Sequence, residues 1–203
     1  MKKRLFGFIA AFVVAFTLFS TTASAASSNY KVVPGDSLWK ISRRYEIGLD
    51  EIISANPQIP NPNLIYPDQI ITVPLSDSSI SSYEKQVIDL VNNIRAKNGL
   101  NRLTANWELS RVARYKSQDM HDKRYFSHTS PTYGSPFNMI TAFGISYRTA
   151  GENIAKGYST PQAVVDGWMN SSGHRANILN SAYTQIGVGY VSDGNYWTQM
   201  FIG

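Results

Sequence analysis

The 203-residue sequence contains no cysteine. This absence excludes disulfide bonds, thiolate metal sites and a cysteine nucleophile. The sequence also lacks the HExxH pattern of zinc peptidases and the GxSxG pattern of serine hydrolases. A chain without disulfides has to be stabilised by packed apolar side chains, and this one is long enough for a medium-sized domain beside a small one.

Charged residues are also few, at 16% of the sequence. The formal net charge of +5 comes partly from residues 1–25, which hold three of the 19 Lys and Arg residues and none of the 14 acidic residues. The remaining chain has 16 basic against 14 acidic residues, a formal charge of +2. We therefore predict no nucleic-acid partner, although weak attraction to an anionic cell wall is retained.

The one long apolar run lies at the start of the chain. It comprises the 15 residues LFGFIAAFVVAFTLF, follows the basic start MKKR and precedes the small-residue motif Ala23-Ser24-Ala25. A membrane-spanning helix needs about 20 apolar residues, whereas a short apolar run between these two flanks is typical of a secretory signal peptide. We predict a signal peptide over residues 1–25, no stable membrane span after its cleavage, and a secreted, cell-wall-associated protein.

Residues 29–74 are predicted to form a compact βααβ unit. YKVV is a strand, and Asp36 is the predicted N-cap of the helix SLWKISRRY. LDEIISANP is a second helix, with Ile52 and Ile53 inward, and QIITVP is a closing strand. The polar segment LSDSSISS, residues 75–82, is predicted to be a linker.

This unit resembles a LysM domain. The motifs that carry the resemblance are VVPGDSLWKIS, the Asn56-Pro57 helix stop and the ending IYPDQIITVP. The resemblance implies binding of peptidoglycan or chitin-like N-acetylglucosamine polymers in a shallow groove between two loops. The residues assigned to these loops are Gly35, Asp36, Ser37, Leu38, Asn63, Leu64, Ile65, Tyr66, Pro67 and Asp68.

Residues 83–203 are predicted to form a second, α+β domain. Apolar residues recur at helical spacing in YEKQVIDLVNNIRAKNGL and again in WELSRVARYKSQDMHDK, where Lys116 lies on the apolar face. Thr160-Pro161 opens another helix. Two alternating runs around Asp193-Gly194 predict a β-hairpin. Helices first and strands last indicate a sheet between helical layers.

The second domain resembles a bacterial CAP domain, of the cysteine-rich secretory, antigen 5 and pathogenesis-related-1 superfamily. The motifs are FSHTSP, GENIA, WMNSSGHRANIL, IGVGY and YWTQMF. The resemblance implies an α-β-α sandwich with two histidines and two glutamates across a cleft, and His128, Glu152 and His174 match three of these four positions. The fourth position is Ser171, and Asp166 on the same helix is out of register.

Alternation along the strand places Glu152 and Ile154 on one face and Asn153 and Ala155 on the other, so Glu152 can reach the imidazoles in the cleft. A carboxylate beside two imidazoles stabilises their protonated forms or orients neutral rings toward a cation. We therefore expect His128, Glu152 and His174 to share one cleft with a latent site for Zn²⁺ or another divalent cation. The alternative is that they only hydrogen-bond one another and fix the loops. His121 is expected to have no chemical role.

The aromatic residues of this domain have two interpretations. They line a ligand groove, or they pack in the core and pair across strands, which is the commoner role. The residues concerned are Tyr147, Trp168, Tyr190, Tyr196 and Trp197.

Three functions are compatible with these features. The first is a wall-associated protein that binds peptidoglycan through the LysM domain and presents a CAP domain to a ligand. The second is a wall-tethered, metal-dependent hydrolase or protease, although a glycosidase needs two carboxylates about 5–10 Å apart and only Glu152 is an obvious candidate. The third is a structural component of the envelope or of a spore layer.

Overall fold

The computed structural model describes residues 27–75 and 78–203. The predicted signal peptide lies outside the described residues. The elements, in chain order, are β1 (Ser27–Lys31), α1 (Leu38–Arg44), α2 (Leu49–Ser54), β2 (Ile70–Pro74), α3 (Ser78–Lys97), β3 (Thr104–Ala105), α4 (Trp107–Asp122), α5 (Pro136–Ala142), β4 (Ala150–Lys156), α6 (Pro161–Asn170), α7 (Ser172–Ile178), β5 (Gln185–Val191) and β6 (Tyr196–Ile202).

The N-terminal unit has the predicted βααβ order, with β1 antiparallel to β2. Its core contains buried side chains of both helices and of β2, including Ile41, Ile52 and Ile71, and Tyr30 of β1 is partly buried against it. The N-cap of α1 is Ser37, whose hydroxyl accepts a hydrogen bond from the Lys40 amide. The predicted cap, Asp36, instead accepts from the Tyr30 hydroxyl at 2.6 Å, so a tertiary partner decides between two adjacent residues that both suit a cap.

The predicted linker differs from the structure at its C-terminal end. Helix α3 begins at Ser78, inside the segment predicted to be irregular. Serine has only a modest helix penalty, so a serine-rich turn can extend a helix whose apolar positions begin further on. None of the helices in the described ranges is long and apolar enough to cross a membrane.

The C-terminal unit is an α-β-α sandwich around a sheet with the strand order β3-β5-β6-β4. Strands β5 and β6 form the predicted hairpin, and β4 is an edge strand antiparallel to β6. Helices α4 and α5 pack on one face with Met200 and Ile202. Helices α3, α6 and α7 pack on the other with Val188, Trp197 and Phe201. A side chain of the sheet can therefore contact either α4 and α5 or α3, α6 and α7, depending on the face to which it points.

The aromatic residues pack in the core, and Trp168 also lines a cavity. Trp168, Tyr190, Tyr196 and Trp197 are buried, and Tyr147 is partly buried against the core beside α4. Tyr190 and Trp197 stack with ring centroids 3.9 Å apart across the hairpin.

Candidate functional site

The two predicted loops of the N-terminal unit lie side by side. The Asp68 amide donates to the Val32 carbonyl at 2.9 Å, and the Val32 amide donates to the Gln69 carbonyl at 2.9 Å. These bonds bring the segment 63–68 beside the turn that begins at residue 33. Asp68 has a φ of 70° and Gly35 a φ of 87°, conformations that glycine adopts freely and aspartate tolerates.

Two side chains of the first loop point into the LysM domain and not toward solvent. Leu38 is buried in the core, and Asp36 accepts hydrogen bonds from the Tyr30 hydroxyl and the Val33 amide. Leu38 was predicted to contact the ligand, but its side chain faces the core because it begins the buried face of α1. The first loop therefore offers mainly backbone groups to a ligand.

The second loop presents apolar surface. Leu64 and Tyr66 are about half exposed or more, and Asn63, Pro67 and Asp68 are exposed beside them, whereas Ile65 is partly buried. Backbone donors and acceptors next to an exposed apolar ledge suit an N-acetylated sugar, which carries an amide, hydroxyls and a methyl group.

In the C-terminal unit, Glu152 and His128 form a hydrogen-bonded pair. Glu152 lies on β4, on the face covered by α4, and its Oε1 is 2.7 Å from His128 Nδ1. The side chain of Glu152 is 1% exposed and that of His128 is 52% exposed. Because a carboxylate only accepts, Nδ1–H is the donor, and Nε2 is the imidazole nitrogen left to meet a ligand.

The loop that carries His128 is held by a buried lysine on α4. Lys116 Nζ donates to the carbonyls of Ser127 and His128 at 2.7 and 2.9 Å and to the Tyr125 hydroxyl at 3.1 Å. Burial lowers the pKa of Lys116, and the nearby charges of Glu152 and Asp119 oppose that shift. The sequence predicted Lys116 on the apolar face but not its contact with the loop.

Asp119, one turn further along α4, holds the same loop through hydroxyl groups. Its carboxylate accepts from Tyr125 and Ser130 at 2.6 Å and from Thr132 at 2.5 Å. Sequence reasoning missed this residue. The available signal was a carboxylate on the face of α4 that also carries Lys116, three residues earlier.

This network predicts acid sensitivity. Burial raises the pKa of the Asp119 carboxyl, but the hydrogen bonds from Ser130, Thr132 and Tyr125 outweigh it and lower the pKa to about 2. A lowered carboxyl pKa stabilises the fold above the unfolded value of about 3.9, and this contribution, about 2 kcal/mol, is lost as the pH falls toward 2.

Urea unfolding of the wild type and Asp119→Asn over this pH range checks the prediction. The variant should be less stable at neutral pH, and the two proteins should converge in acid. Asp89→Asn, at an exposed ion pair with Lys85, is the control and should change stability by less than about 1 kcal/mol. A difference for Asp119→Asn that is the same at every pH would contradict this account.

His174 approaches from the other side of the sheet. Asn153, which points away from Glu152, donates to the His174 carbonyl at 3.2 Å and accepts from Asn177 at 2.8 Å. These bonds attach α7 to the edge strand β4. Burial and the positive charge of His128 lower the pKa of His174. The charge of His128 therefore affects the protonation of His174, although the two residues lie on opposite sides of the sheet.

A cavity of about 280 Å³ is lined mainly by residues of β4, α6 and α7. His174 and Ser171 line it together with Phe126, Ile154 and Trp168. Ser171 stands in the position expected from the sequence. Asp166 is exposed and accepts from Gln162, away from the cavity. Lys156 and Tyr158 also line the cavity, so an ammonium group, an imidazole and two hydroxyl-bearing residues accompany its apolar side chains.

The expected metal site is not assembled. In the described ranges 27–75 and 78–203, no group of three or more His, Asp or Glu side chains has the spacing to hold a metal ion. One carboxylate oxygen of Glu152 is bonded to His128, and the other is buried with no hydrogen-bond partner among the residues that the structure describes. His174 comes from the opposite face and Ser171 replaces the fourth acid. The residues present do not fit a metal centre.

His121 has a structural role that the sequence did not indicate. Its Nδ1 lies 2.6 Å from Asp122 and its Nε2 lies 3.0 Å from Asp193 in the hairpin turn. Both carboxylates raise the pKa of His121. The imidazole therefore joins the end of α4 to the β5–β6 turn.

Comparison with known proteins agrees with both domains. Residues 30–74 match the LysM domain, and residues 88–201 match CAP, the cysteine-rich secretory protein family. The uncharacterized protein YkwD of Bacillus subtilis is 61% identical over 132 residues, which are 65% of this chain and 51% of that protein. The secreted LysM effector ECP6 of Passalora fulva is 46% identical over 59 residues, 29% of this chain and 26% of that protein.

Among solved structures, an extracellular protein containing an SCP domain from Bacillus anthracis is 36% identical, with a TM-score of 0.59 over 66% of this chain and 46% of that one. The chain spans about half the length, or less, of these relatives. The family match covers more than half of the present sequence. The chain therefore belongs to the CAP, or cysteine-rich secretory protein, family and carries a LysM domain ahead of its CAP domain.

Proposed function

We propose that this chain is an exported protein that binds the N-acetylglucosamine units of peptidoglycan through its LysM domain and holds its CAP domain at the cell wall. The observation that carries the proposal is the pairing of the two LysM loops into one surface with exposed apolar side chains. In the CAP domain, the His128–Glu152 pair and the neighbouring cavity form a ligand-binding cleft.

The distribution of exposed apolar side chains supports binding through the LysM domain. Large apolar residues that stay more than a third exposed are concentrated in residues 27–75, although this unit is much smaller than the CAP domain. The members in the LysM unit are Val33, Trp39, Leu49, Leu64, Tyr66, Ile70 and Leu75, against Phe126, Phe137 and Tyr158 elsewhere in the described residues. Contiguous exposed apolar surface is typical of binding sites, and Leu64 and Tyr66 are the members that lie in the second loop of the proposed groove.

Replacing Tyr66 tests the proposed groove. The Tyr66 side chain is 60% exposed, so Tyr66→Ala should leave the fold intact and weaken co-sedimentation with purified peptidoglycan about tenfold, because the apolar ledge for the acetamide is lost.

Phe137→Ala is the matched control. Phe137 is an aromatic residue of the CAP domain that is 45% exposed and lies outside both candidate sites, so its replacement should leave binding unchanged. Equal binding by wild type and Tyr66→Ala would refute the proposed groove.

A further inference from the structure

An ion-pair cluster around Glu51 joins the LysM and CAP domains. Glu51 on α2 accepts from Arg111 Nε at 2.5 Å and Nη2 at 2.7 Å, and from the Tyr115 hydroxyl at 2.9 Å. A Cβ on Gly48, the N-cap of α2, would lie 2.2 Å from the Arg111 guanidinium carbon, so this arginine side chain packs directly against the start of α2.

The electrostatics of the cluster favour an ionised Glu51. Burial raises the pKa of Glu51, but the bonds to Arg111 outweigh it and the pKa is lowered. Burial and the charge of Glu51 raise the pKa of Tyr115 to about 12. A bidentate arginine–carboxylate pair restricts the relative orientation of its two partners as well as stabilising their contact. The pair between Glu51 and Arg111 therefore restricts the orientation of α2 relative to α4.

Three cavities open along this contact, the smallest of which has a volume of about 190 Å³. The first has a volume of about 260 Å³ and is lined by Trp39 and Arg43 of the LysM domain and by Trp107 and Glu108 of the CAP domain. The second, of about 330 Å³, shares Arg111 and Phe143 with the first. We call the first cavity the seam. Ligand sites occur preferentially at such domain boundaries.

The seam has the chemistry of a carbohydrate site. The Arg43 guanidinium lies 5.8 Å from the Trp39 ring centroid and 5.2 Å from that of Trp107. It also pairs with Glu108, and both charged side chains are more than 40% exposed. Indole faces pack against the apolar C–H face of a pyranose, while guanidinium and carboxylate groups bond its hydroxyl and amide groups.

The position of Trp39 indicates which sugar enters the seam. It directly follows Leu38, the last residue of the first LysM loop, and it is 56% exposed. We propose that the seam is a second carbohydrate subsite, which binds N-acetylglucosamine units of the same strand whose neighbouring units occupy the LysM groove. This inference rests on the proposed function of the LysM domain. It assigns part of the glycan binding to the CAP domain.

Tryptophan fluorescence gives a direct test. The chain has four tryptophans, and Trp168 and Trp197 are 1% and 0% exposed in the CAP core. Trp39→Phe therefore leaves Trp107 as the only tryptophan outside the core. Titration of this variant with hexaacetylchitohexaose should shift its emission. Saturating binding with no shift in emission would overturn the proposal.

Affinity measurements separate the two subsites. Trp107→Ala should leave the affinity for triacetylchitotriose unchanged and weaken that for hexaacetylchitohexaose about tenfold. Glu108→Gln, which keeps the side-chain shape, is the second variant and should act in the same direction if Trp107→Ala proves unstable in a thermal melt. Unchanged hexaose affinity in a folded variant would overturn the seam site alone.

Failure of the LysM proposal would give different binding results from failure of the seam proposal alone. If the wild type binds neither oligomer, both the LysM proposal and the seam fail. If Tyr66→Ala weakens both oligomers while the seam variants weaken only the longer one, both proposals are supported.

Discussion

Gly189→Ala is expected to destabilise the CAP domain by about 3 kcal/mol or more. A Cβ at this position of β5 would lie 2.1 Å from the Arg114 amide nitrogen and 2.2 Å from the Ala113 carbonyl carbon, both in the backbone of α4. Neither backbone can yield without moving the helix that carries Lys116 and Asp119. The loop of His128 should therefore be disturbed together with the fold.

Urea unfolding followed through the buried tryptophans measures this effect. Gly173→Ala is the matched control, because Gly173 is helical and a Cβ there meets nothing within 4 Å. It should stabilise the protein by about 0.5–1 kcal/mol, since alanine has the higher helix propensity. Equal midpoints for the wild type and Gly189→Ala would mean that α4 and β5 are not packed this closely.

Lys116→Met is expected to be the most damaging single change at the candidate site. It leaves the carbonyls of Ser127 and His128 without their donor and removes a buried positive charge that interacts with Glu152. Removing one partner from a buried charge arrangement costs about 3–5 kcal/mol. Part of that loss should appear as faster hydrogen exchange across residues 123–134, whose loop the ammonium holds.

A second-site change checks the electrostatic part of this argument. Glu152→Gln removes the buried carboxylate charge, so it should be less destabilising in the Lys116→Met background than in the wild type. Lys85→Met, at an exposed ion pair, is the control and should change stability by less than about 1 kcal/mol. Additive effects of Lys116→Met and Glu152→Gln would show that the two groups do not interact.

Local sequence patterns predicted much of the fold. The 3.6-residue spacing identified the buried face of α4, including Lys116, because that face depends only on helix geometry. Thr160-Pro161 marked the start of α6, where the Thr160 hydroxyl caps the Ala163 amide. Asp193-Gly194 marked the β5–β6 turn, because the conformation of a hairpin turn depends mainly on the residues within it.

The candidate site was predicted only in part, because it depends on contacts between distant segments. Alternation within β4 placed Glu152 and Asn153 on opposite faces, as the structure shows. The sequence could not indicate that β4 is an edge strand, with His128 approaching from one side and His174 from the other. For this reason three residues with suitable chemistry do not form the expected metal site.

Peptidoglycan co-sedimentation of the chain from residue 26 onward, under salt and sugar competition, tests glycan binding by the LysM domain. At about 1 M salt the Debye length is about 3 Å, so attraction that arises only from surface charge is screened. The account predicts that the protein stays bound in this salt and is released by N-acetylglucosamine oligomers. Release by salt alone, with no effect of the oligomers, would contradict glycan recognition by the LysM domain.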